Sequence, residues 1–152
     1  MMHDLNDIKQ TTGKILSVDF GDARTGLAVS DATRFLASGI GTISVGGIVK
    51  TADRTAEIAR EQNAVAVVVG LPVNMDGTQG FRAERCREFA DLLRERLPNT
   101  PIAMMDERMT TMVASRYLNE TNTRGKKRKG VIDTLSAEII LQNTLDRLKL
   151  MN

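Results

Sequence analysis

The sequence has few of the side chains that usually carry nucleophilic or metal chemistry: its only cysteine is Cys86 and its only histidine is His3. One cysteine cannot form an internal disulfide, and these two residues cannot make the Cys/His cluster of a zinc site. A catalytic triad needs a histidine as its base, and His3 is the only histidine in the sequence. Cys86 lies in a charged stretch with no histidine beside it, which argues against a thiolate nucleophile. Acidic residues are therefore the remaining source of catalytic chemistry.

Long apolar runs and aromatic residues are also lacking. No run approaches the roughly 18–20 residues needed to span a bilayer, and residues 1–12 lack the apolar centre of a signal peptide. These absences predict a cytoplasmic protein with no membrane partner. With four Phe, one Tyr and no Trp, the chain is not expected to offer an aromatic platform for stacking single-stranded bases.

Positive charge is concentrated in one segment rather than spread over the chain. The formal net charge is only +2, so no overall basic field points to nucleic acid. Such a dense segment is most often a solvated loop, but it could also contact several phosphates of a nucleic acid. Its cations, within residues 124–129, are Arg124, Lys126, Lys127, Arg128 and Lys129.

The hydrophobic pattern predicts an α/β fold in which three strands come first and helices then alternate with strands. The predicted strands lie at 14–20, 25–30, 39–45, 64–69 and 101–105. The predicted helices lie at 50–62, 81–97, about 110–119 and 131–148. An initial meander followed by crossover connections gives a mixed five-stranded sheet with helices on both faces. Residues 1–13 are expected to form a flexible lead-in, and residues 14–152 a single domain.

Three acidic residues stand at the ends of these elements: Asp19 after the first strand, Glu107 after the fifth, and Asp133 at the start of the last helix. Strand ends and a helix start can meet at one edge of a sheet, where carboxylates could hold the two metal ions of a phosphodiesterase. Mg²⁺ is a hard cation that prefers such oxygen ligands. The sequence therefore predicts a metal site that acts on a phosphodiester.

Each acid also has a plainer explanation. Asp19 could bond the amides of the turn that follows it. Glu107 could pair with Arg108, while the adjacent Asp106 would point to the opposite side of the strand. Asp133 could be stabilised by the dipole of the helix that it begins. Against this last explanation, Asp133 shares one side of the predicted helix with Ala137, Ile140, Leu141, Thr144 and Leu148, a mostly apolar side that should face the sheet. A charge buried there needs a cation or a set of hydrogen-bond donors.

Four motifs occur in order along the chain. They are Asp19-Phe20-Gly21 with Arg24-Thr25-Gly26, Val69-Gly70-Leu71-Pro72 with Asn74-Met75-Asp76-Gly77, Asp106-Glu107-Arg108 with Thr110-Thr111, and Lys126-Lys127-Arg128-Lys129 with Ile132-Asp133. Together they resemble the bacterial YqgF family, whose members are named both as pre-16S rRNA nucleases and as Holliday junction resolvases. The resemblance runs from about Lys14 to Leu148. One departure is Asp22-Ala23, where the family usually carries a basic residue, so Arg24 is the only cation of this turn.

The resemblance implies a ribonuclease H-like fold with catalytic, metal-binding acids at Asp19, Glu107 and Asp133. Asp106 would then either support the site from outside the metal ligands or be purely structural, and whether Asp106 or Asp76 contributes to the site stays open. The expected mechanism is hydrolysis assisted by two Mg²⁺ or Mn²⁺ ions, which leaves a 5′ phosphate and a 3′ hydroxyl. The backbone of the nucleic acid would be positioned by the basic segment together with Arg24 and Arg108.

The substrate implied first is the 5′ end of pre-16S rRNA in ribosome biogenesis, with a ribosomal precursor particle as a possible partner. The alternative is a four-way DNA junction in recombination, for which symmetrical cleavage would favour a dimer. A monomer or a weak homodimer is expected. Two other classes stay open: a nucleotide-binding ATPase or sugar kinase, for which the chain is short, and a non-catalytic nucleic-acid-binding scaffold whose acids are structural.

The basic segment predicts how binding depends on salt. If residues 124–129 contact several phosphates, substrate affinity falls steeply as salt rises, because bound counterions are released. The double substitution Lys126→Ala with Lys127→Ala should reduce the slope of log affinity against log salt by about 1–2. Binding isotherms at several salt concentrations measure that slope. An unchanged slope would remove this segment from the interface.

Overall fold

The computed structural model describes residues 3–107 and 127–151, with the side chains of the last helix described from residue 134 onward. Its strands are β1 (Ile15–Asp19), β2 (Thr25–Ser30), β3 (Ala37–Ile43), β4 (Ala66–Leu71) and β5 (Ile102–Asp106). Its helices are α1 (Leu5–Lys9), α2 (Ile48–Glu61), α3 (Phe81–Arg96) and α4 (Lys127–Leu150). Within the described ranges, no helix has the length and apolarity needed to cross a membrane.

The five strands form one mixed sheet in the order β3-β2-β1-β4-β5. The first three strands make an antiparallel meander, whereas β4 pairs parallel to β1 and β5 pairs parallel to β4. The short connection after β1 permits an antiparallel neighbour, and α2 and α3 supply the crossovers that parallel neighbours require. The mixed five-stranded sheet predicted from the sequence is confirmed.

Helices cover both faces of the sheet, and each face has its own apolar core. All six residues of β4 are buried, as expected for a central strand with helices above and below it. On one face, α2 and α3 pack against β1 residues such as Leu16 and Val18, and the rings of Phe20 and Phe89 stack with centroids 4.7 Å apart. On the other face, α4 packs against a separate cluster that includes Ile15.

The helix α4 packs across the meander and is hydrogen-bonded both to the middle of β1 and to the helix α1 that precedes it. The buried hydroxyl of Ser17 on β1 donates to the carbonyl of Ala137 (2.6 Å). Near the end of the helix, Lys9 Nζ donates to the carbonyl of Leu148 (2.9 Å). Since Lys9 precedes β1, the C-terminal end of α4 lies where β1 begins. The N-terminal end of α4 therefore lies toward Asp19, where β1 ends.

The same helix also reaches the outermost strand, β3. The backbone N–H of Gly39 donates to Glu138 Oε1 (2.9 Å). A Cβ on Gly39 would meet that same oxygen, and it would lie 2.9 Å from the Cβ of Thr134. Only glycine leaves room for an approach this close.

The N-terminal segment differs from the flexible lead-in expected at residues 1–13. Residues 5–9 form α1, and the side chain of Asp4 caps it by accepting a hydrogen bond from the Asp7 N–H (3.1 Å). Ile8 is fully buried in the core beneath α4. Burial of Ile8, packing of Leu5 against the same core and the bridge from His3 to Ala103 of β5 together order a segment whose composition is mostly polar.

The start of α4 also differs from the expectation. The helix begins at Lys127 rather than at residue 131, so Asp133 lies in its second turn. Lysine and arginine are good helix formers, which explains how a charged run without an apolar pattern can open a helix. A helix dipole acts mainly within the first turn, so it is a weaker explanation for Asp133 than the sequence indicated. The other boundaries agree to within two residues, and the helix expected at about 110–119 lies outside the described residues.

Gly70 predicts a steric coupling between β4 and α4. A Cβ at this position would lie 2.5 Å from Ile140 Cδ1 and 3.3 Å from Glu107 Oε1. Gly70→Ala should therefore lower the free energy of unfolding by about 1–3 kcal/mol. Ile140→Val removes the Cδ1 atom and should recover part of that loss in a double-mutant cycle measured by urea denaturation. Strictly additive effects would contradict the assigned contact.

Candidate active site

Asp19 and Glu107 are brought to the same edge and the same face of the sheet. Alternate residues of a strand face the same side, and Ser17, two residues before Asp19, faces α4 through its hydrogen bond to that helix. Glu107 follows β5, and its Oε1 lies 3.3 Å from where a Cβ on Gly70 would stand. The same position meets Ile140 of α4. The carboxylate of Glu107 therefore also lies on the α4 face.

The two carboxylates are close enough for one to affect the ionisation of the other. Burial raises the pKa of Glu107 to about 6, and the negative charge of Asp19 adds to this rise. The positive charge of Arg82 acts in the opposite direction, while Asp106 contributes a further small rise in the pKa. The backbone N–H of Glu107 donates to the carbonyl of Leu71 (3.1 Å), which fixes the chain as it leaves β5.

Asp106 lies on the opposite side of β5 from Glu107, as the alternation of a strand predicts. Ile102 and Met104, at the same alternating positions, pack in the core beneath α2 and α3. In the sheet, Asp106 is paired with Leu71 of β4. Asp106 therefore acts on Glu107 through its charge, from the other face of the strand.

The third predicted acid, Asp133, lies four residues before Ala137 in α4, but its side chain is outside the described residues. Among the side chains at 3–107 and 134–151, no three His, Cys, Asp or Glu residues come together as a metal site. The described part of the site is the pair Asp19 and Glu107. Most of the predicted nucleic-acid contacts are also outside the described residues: Arg108, Arg124, Lys126, and the side chains of Lys127, Arg128 and Lys129.

Arg82, at the second position of α3, is a cation of this site that the sequence analysis missed. Its charge acts on both Glu107 and Cys86. It lines a small surface cavity together with Arg85 and the turn that follows β1. The one available signal was its place in the chain, directly after the polar loop 72–80 that leaves the same edge of the sheet.

The unusual acid of the first turn, Asp22, is held by α3. Arg85 donates to Asp22 Oδ1 through both Nη2 (2.8 Å) and Nε (3.1 Å). The hydrogen bond to Asp22 is the main reason that the pKa of Arg85 is raised. The negative charge is thus balanced within the protein, and Arg24 is the exposed cation of this turn.

Cys86 is a buried residue of this region without the properties of a nucleophile. Burial is the main cause, and the charge of Glu107 the next, of a rise in the thiol pKa to about 12. At neutral pH the thiol is therefore protonated. Its Sγ lies 4.0 Å from the carbonyl oxygen of Phe20. The structure agrees with the sequence argument against thiolate chemistry.

Comparison with known protein families identifies the family of this chain. Residues 13–147 match the family model described as RuvX: Holliday junction resolvase. The chain belongs to the RuvX family. This membership confirms the family resemblance inferred from the four motifs.

Curated relatives of this RuvX chain carry the name "Putative pre-16S rRNA nuclease". One from Ruminiclostridium cellulolyticum is 41% identical over 136 residues, which cover 89% of this chain and 95% of the relative. One from Bacillus cereus is 42% identical over 140 residues, which cover 88% of this chain and 98% of the relative. The family description and these names both denote nucleases, which confirms the enzyme class predicted from the sequence.

Solved resolvases share the fold of this RuvX chain. T. thermophilus RuvC in complex with a Holliday junction substrate aligns with a TM-score of 0.58 at 12% identity, covering 90% of this chain and 96% of RuvC. Fowlpox virus resolvase in complex with Holliday junction DNA aligns with a TM-score of 0.52 at 13% identity, covering 91% and 99%. At such low identity the likeness concerns the fold alone. It confirms the predicted ribonuclease H-like architecture.

The chemistry of the Asp19 and Glu107 pair fits a divalent metal ion. Both residues are only partly exposed, and burial together with the charge of Asp19 disfavours the ionised form of Glu107. A hard cation bound between carboxylate oxygens would offset both effects. Asp19 and Glu107 are therefore residues of the described chain that could hold such an ion.

The raised pKa of Glu107 predicts a pH-dependent loss of stability. The folded chain holds its proton up to about pH 6, whereas an ordinary glutamate loses it near 4.5. Between these values the folded state binds more protons than the unfolded state, so stability falls as pH rises through this window. In EDTA, Glu107→Gln should raise the free energy of unfolding by about 1 kcal/mol at about pH 7.5, allowing for solvent screening, with little effect below about pH 4.5.

Urea denaturation in EDTA at the two pH values measures this difference. Glu84, an exposed residue of α3, gives a matched control, because Glu84→Gln removes a charge that stays in water. That control should show no comparable pH-dependent gain. Equal stability of Glu107→Gln and wild type at both pH values would contradict the electrostatic setting assigned to Glu107.

Proposed function

We propose that this chain is a metal-dependent endonuclease that processes the 5′ end of pre-16S rRNA in ribosome biogenesis. The observation that carries the proposal is the pair of partly buried carboxylates, Asp19 and Glu107, gathered beside Arg82 at one edge of the sheet. The name shared by relatives at 41% and 42% identity supports the choice of substrate. The proposed location is the cytoplasm, with a ribosomal precursor particle as the partner.

In this proposal Asp19, Glu107 and Asp133 hold Mg²⁺ or Mn²⁺ through their carboxylate oxygens. Asp133 is included because of the family resemblance and because it lies one turn before Ala137, whose carbonyl accepts a hydrogen bond from Ser17 of β1. The bound ions would supply an activated water and stabilise the leaving 3′ oxygen. The part played by the chain itself is to gather the carboxylates and to hold the phosphodiester between them.

Cations of the chain would position the nucleic-acid backbone. Arg82 acts on Glu107, and its planar guanidinium can bind two oxygens of one phosphate. Arg24 is exposed on the turn after Asp19, where it could contact the next phosphate. The interface proposed from the sequence is completed by Arg108, Arg124, Lys126, Lys127, Arg128 and Lys129.

A four-way DNA junction is the second candidate substrate. The family description names a Holliday junction resolvase, and resolvases solved with junction DNA share this fold. Pre-16S rRNA is preferred because the relatives named for it are far more similar in sequence, at 41% identity against 12% for RuvC. Symmetrical cleavage of a junction would also require two active sites and hence a dimer.

Cleavage of end-labelled substrates tests this proposal. A precursor 16S rRNA fragment and a four-way DNA junction are incubated side by side in Mg²⁺, in Mn²⁺ or in EDTA. Metal-dependent cutting of the RNA, with a 5′ phosphate on the product, is the expected result. Asp19→Asn should lower the rate at least about 100-fold, because it weakens the hold on the metal. Preferential cutting of the junction would instead select the resolvase.

Arg82 and Arg60 provide matched variants for the same assay. Arg82 lies at the beginning of α3, whereas Arg60 belongs to α2 and contacts the far end of α3. Arg82→Ala should lower cleavage about tenfold or more, because it removes a charged contact to phosphate. Arg60 donates to the carbonyl of Arg96 (2.9 Å) at the far end of α3, so Arg60→Ala should leave cleavage unchanged. Full activity of Asp19→Asn in excess EDTA would rule out the metal mechanism. Tight binding without cutting of either substrate would favour the scaffold.

A further inference from the structure

Two large apolar side chains are exposed along the segment that joins α3 to the end of β4, where Leu71 is hydrogen-bonded to Glu107. Met75, in the loop 72–80 after β4, is 89% exposed, and Phe81, the first residue of α3, is 69% exposed. Neither contributes to the two apolar cores. Exposed apolar side chains near a functional site are candidates for contact with what binds there.

Internal hydrogen bonds hold the loop that carries Met75 in one shape. The Asn74 N–H donates to the carbonyl of Thr78 (2.9 Å), and the Gly77 N–H donates to the carbonyl of Asn74 (2.8 Å). The carboxylate of Asp76 accepts from the Thr78 N–H (2.9 Å). Gly77 has a φ of +91°, which favours glycine. Met75 is therefore presented on a preformed turn, which lowers the entropic cost of using it in binding.

Both ends of the loop are attached to elements of the site. Arg87 Nε donates to Gln79 Oε1 (3.0 Å), which ties the end of the loop to α3. At the beginning, Leu71 accepts a hydrogen bond from the Glu107 N–H (3.1 Å). Met75 is four residues beyond Leu71, a span of at most about 14 Å. A substrate bound at Glu107 is therefore within reach of Met75.

Phe81 is connected to the same site through the residue that follows it. Arg82 acts on Glu107, and together with Arg85 it lines the surface cavity next to the turn after β1. An exposed ring followed directly in the chain by an exposed arginine matches the chemistry of a nucleotide, which offers a flat π surface next to a phosphate. Arg85 is already paired with Asp22 and Glu88, so the cation available to this argument is Arg82. An apolar protein segment would use the ring but would have no need for that cation. The charge of Arg82 therefore favours nucleic acid as the occupant.

We propose that Phe81 stacks on an unpaired base of the nucleic-acid substrate and that Met75 wedges against the neighbouring base, while Arg82 contacts the phosphate beside them. The substrate class is then a nucleic acid with unstacked nucleotides next to the bond that is cut. This inference rests on the proposed nuclease function and deepens it. It is compatible with the small number of aromatic residues, because a single ring at the rim suffices where a platform would need several.

Fluorescence of 2-aminopurine tests the stacking directly, because the base is quenched when it stacks on an aromatic ring. The probe is a stem-loop from precursor 16S rRNA with 2-aminopurine placed at each unpaired position in turn. The protein is the full chain carrying Asp19→Asn, which keeps the RNA intact. Binding should change the fluorescence at one or more of these positions. Phe81→Ala in the same background should abolish that change and weaken binding about 5- to 150-fold.

Phe35 gives a matched control, because it is 66% exposed and lies between β2 and β3 at the opposite end of the sheet. Phe35→Ala should leave both the fluorescence change and the affinity as they are. Phe81→Tyr keeps a ring and should retain both signals. Unaltered affinity and fluorescence in Phe81→Ala would overturn the proposal, as would an equal loss in Phe35→Ala. Because Phe81 lies outside both cores, its variants should fold, which urea denaturation checks.

The outcomes that would contradict the stacking contact differ from those that would contradict the nuclease function. Metal-dependent cleavage by the wild type, with binding unaffected by Phe81→Ala, would retain the nuclease and overturn the contact. A fluorescence change that depends on Phe81, without cleavage of any substrate, would support the contact and overturn the nuclease.

Discussion

Holding Asp19 and Glu107 near each other is the constraint on which the rest of the site depends. Two carboxylates repel each other, and partial burial makes each charge more costly. The chain resists their separation because Asp19 ends a strand with neighbours on both sides, while the Glu107 backbone is bonded to Leu71. The sheet therefore keeps the two acids in an arrangement that a bound cation stabilises. Arg82 supplies part of that positive charge from outside the pair.

Two glycines determine how closely the C-terminal helix can approach this edge of the sheet. Gly39 and Gly70 lie in strands beneath α4, and side chains of the helix occupy the space that a Cβ would need. The approach is close enough for Ser17 to donate to a helix carbonyl at 2.6 Å. The separation between β1 and α4 also sets the separation between Asp19 and the helix that carries Asp133. A change beneath the middle of the helix can therefore alter the site without touching a carboxylate.

Much of the fold could be predicted from the sequence because its strands and longer helices have strong patterns. The continuous apolar run of β4 and the helix α3 are examples, and the placement of Asp19 and Glu107 at one edge followed from the order of elements. The helix α1 could not be predicted, because a five-residue helix depends on tertiary burial of Ile8. Arg82 was missed because the packing of α3 against the sheet, rather than any local pattern, brings its charge close enough to affect Glu107. The role of Asp133 stays a prediction.

The hydrogen bond between Gly39 and Glu138 has a consequence for the behaviour of the protein in solution. An outermost strand exposes backbone groups that can pair with a strand of another molecule, which is a common route to aggregation. In β3, the N–H of Gly39 is already engaged by a side chain of α4. The helix that carries Asp133 thus also engages a backbone N–H of the outermost strand, which makes this N–H unavailable to a strand of another molecule. If α4 separated from the sheet, Asp133 would move away from Asp19, and the N–H of Gly39 would become available for pairing with another molecule. Loss of the site and exposure of the strand edge would therefore occur together.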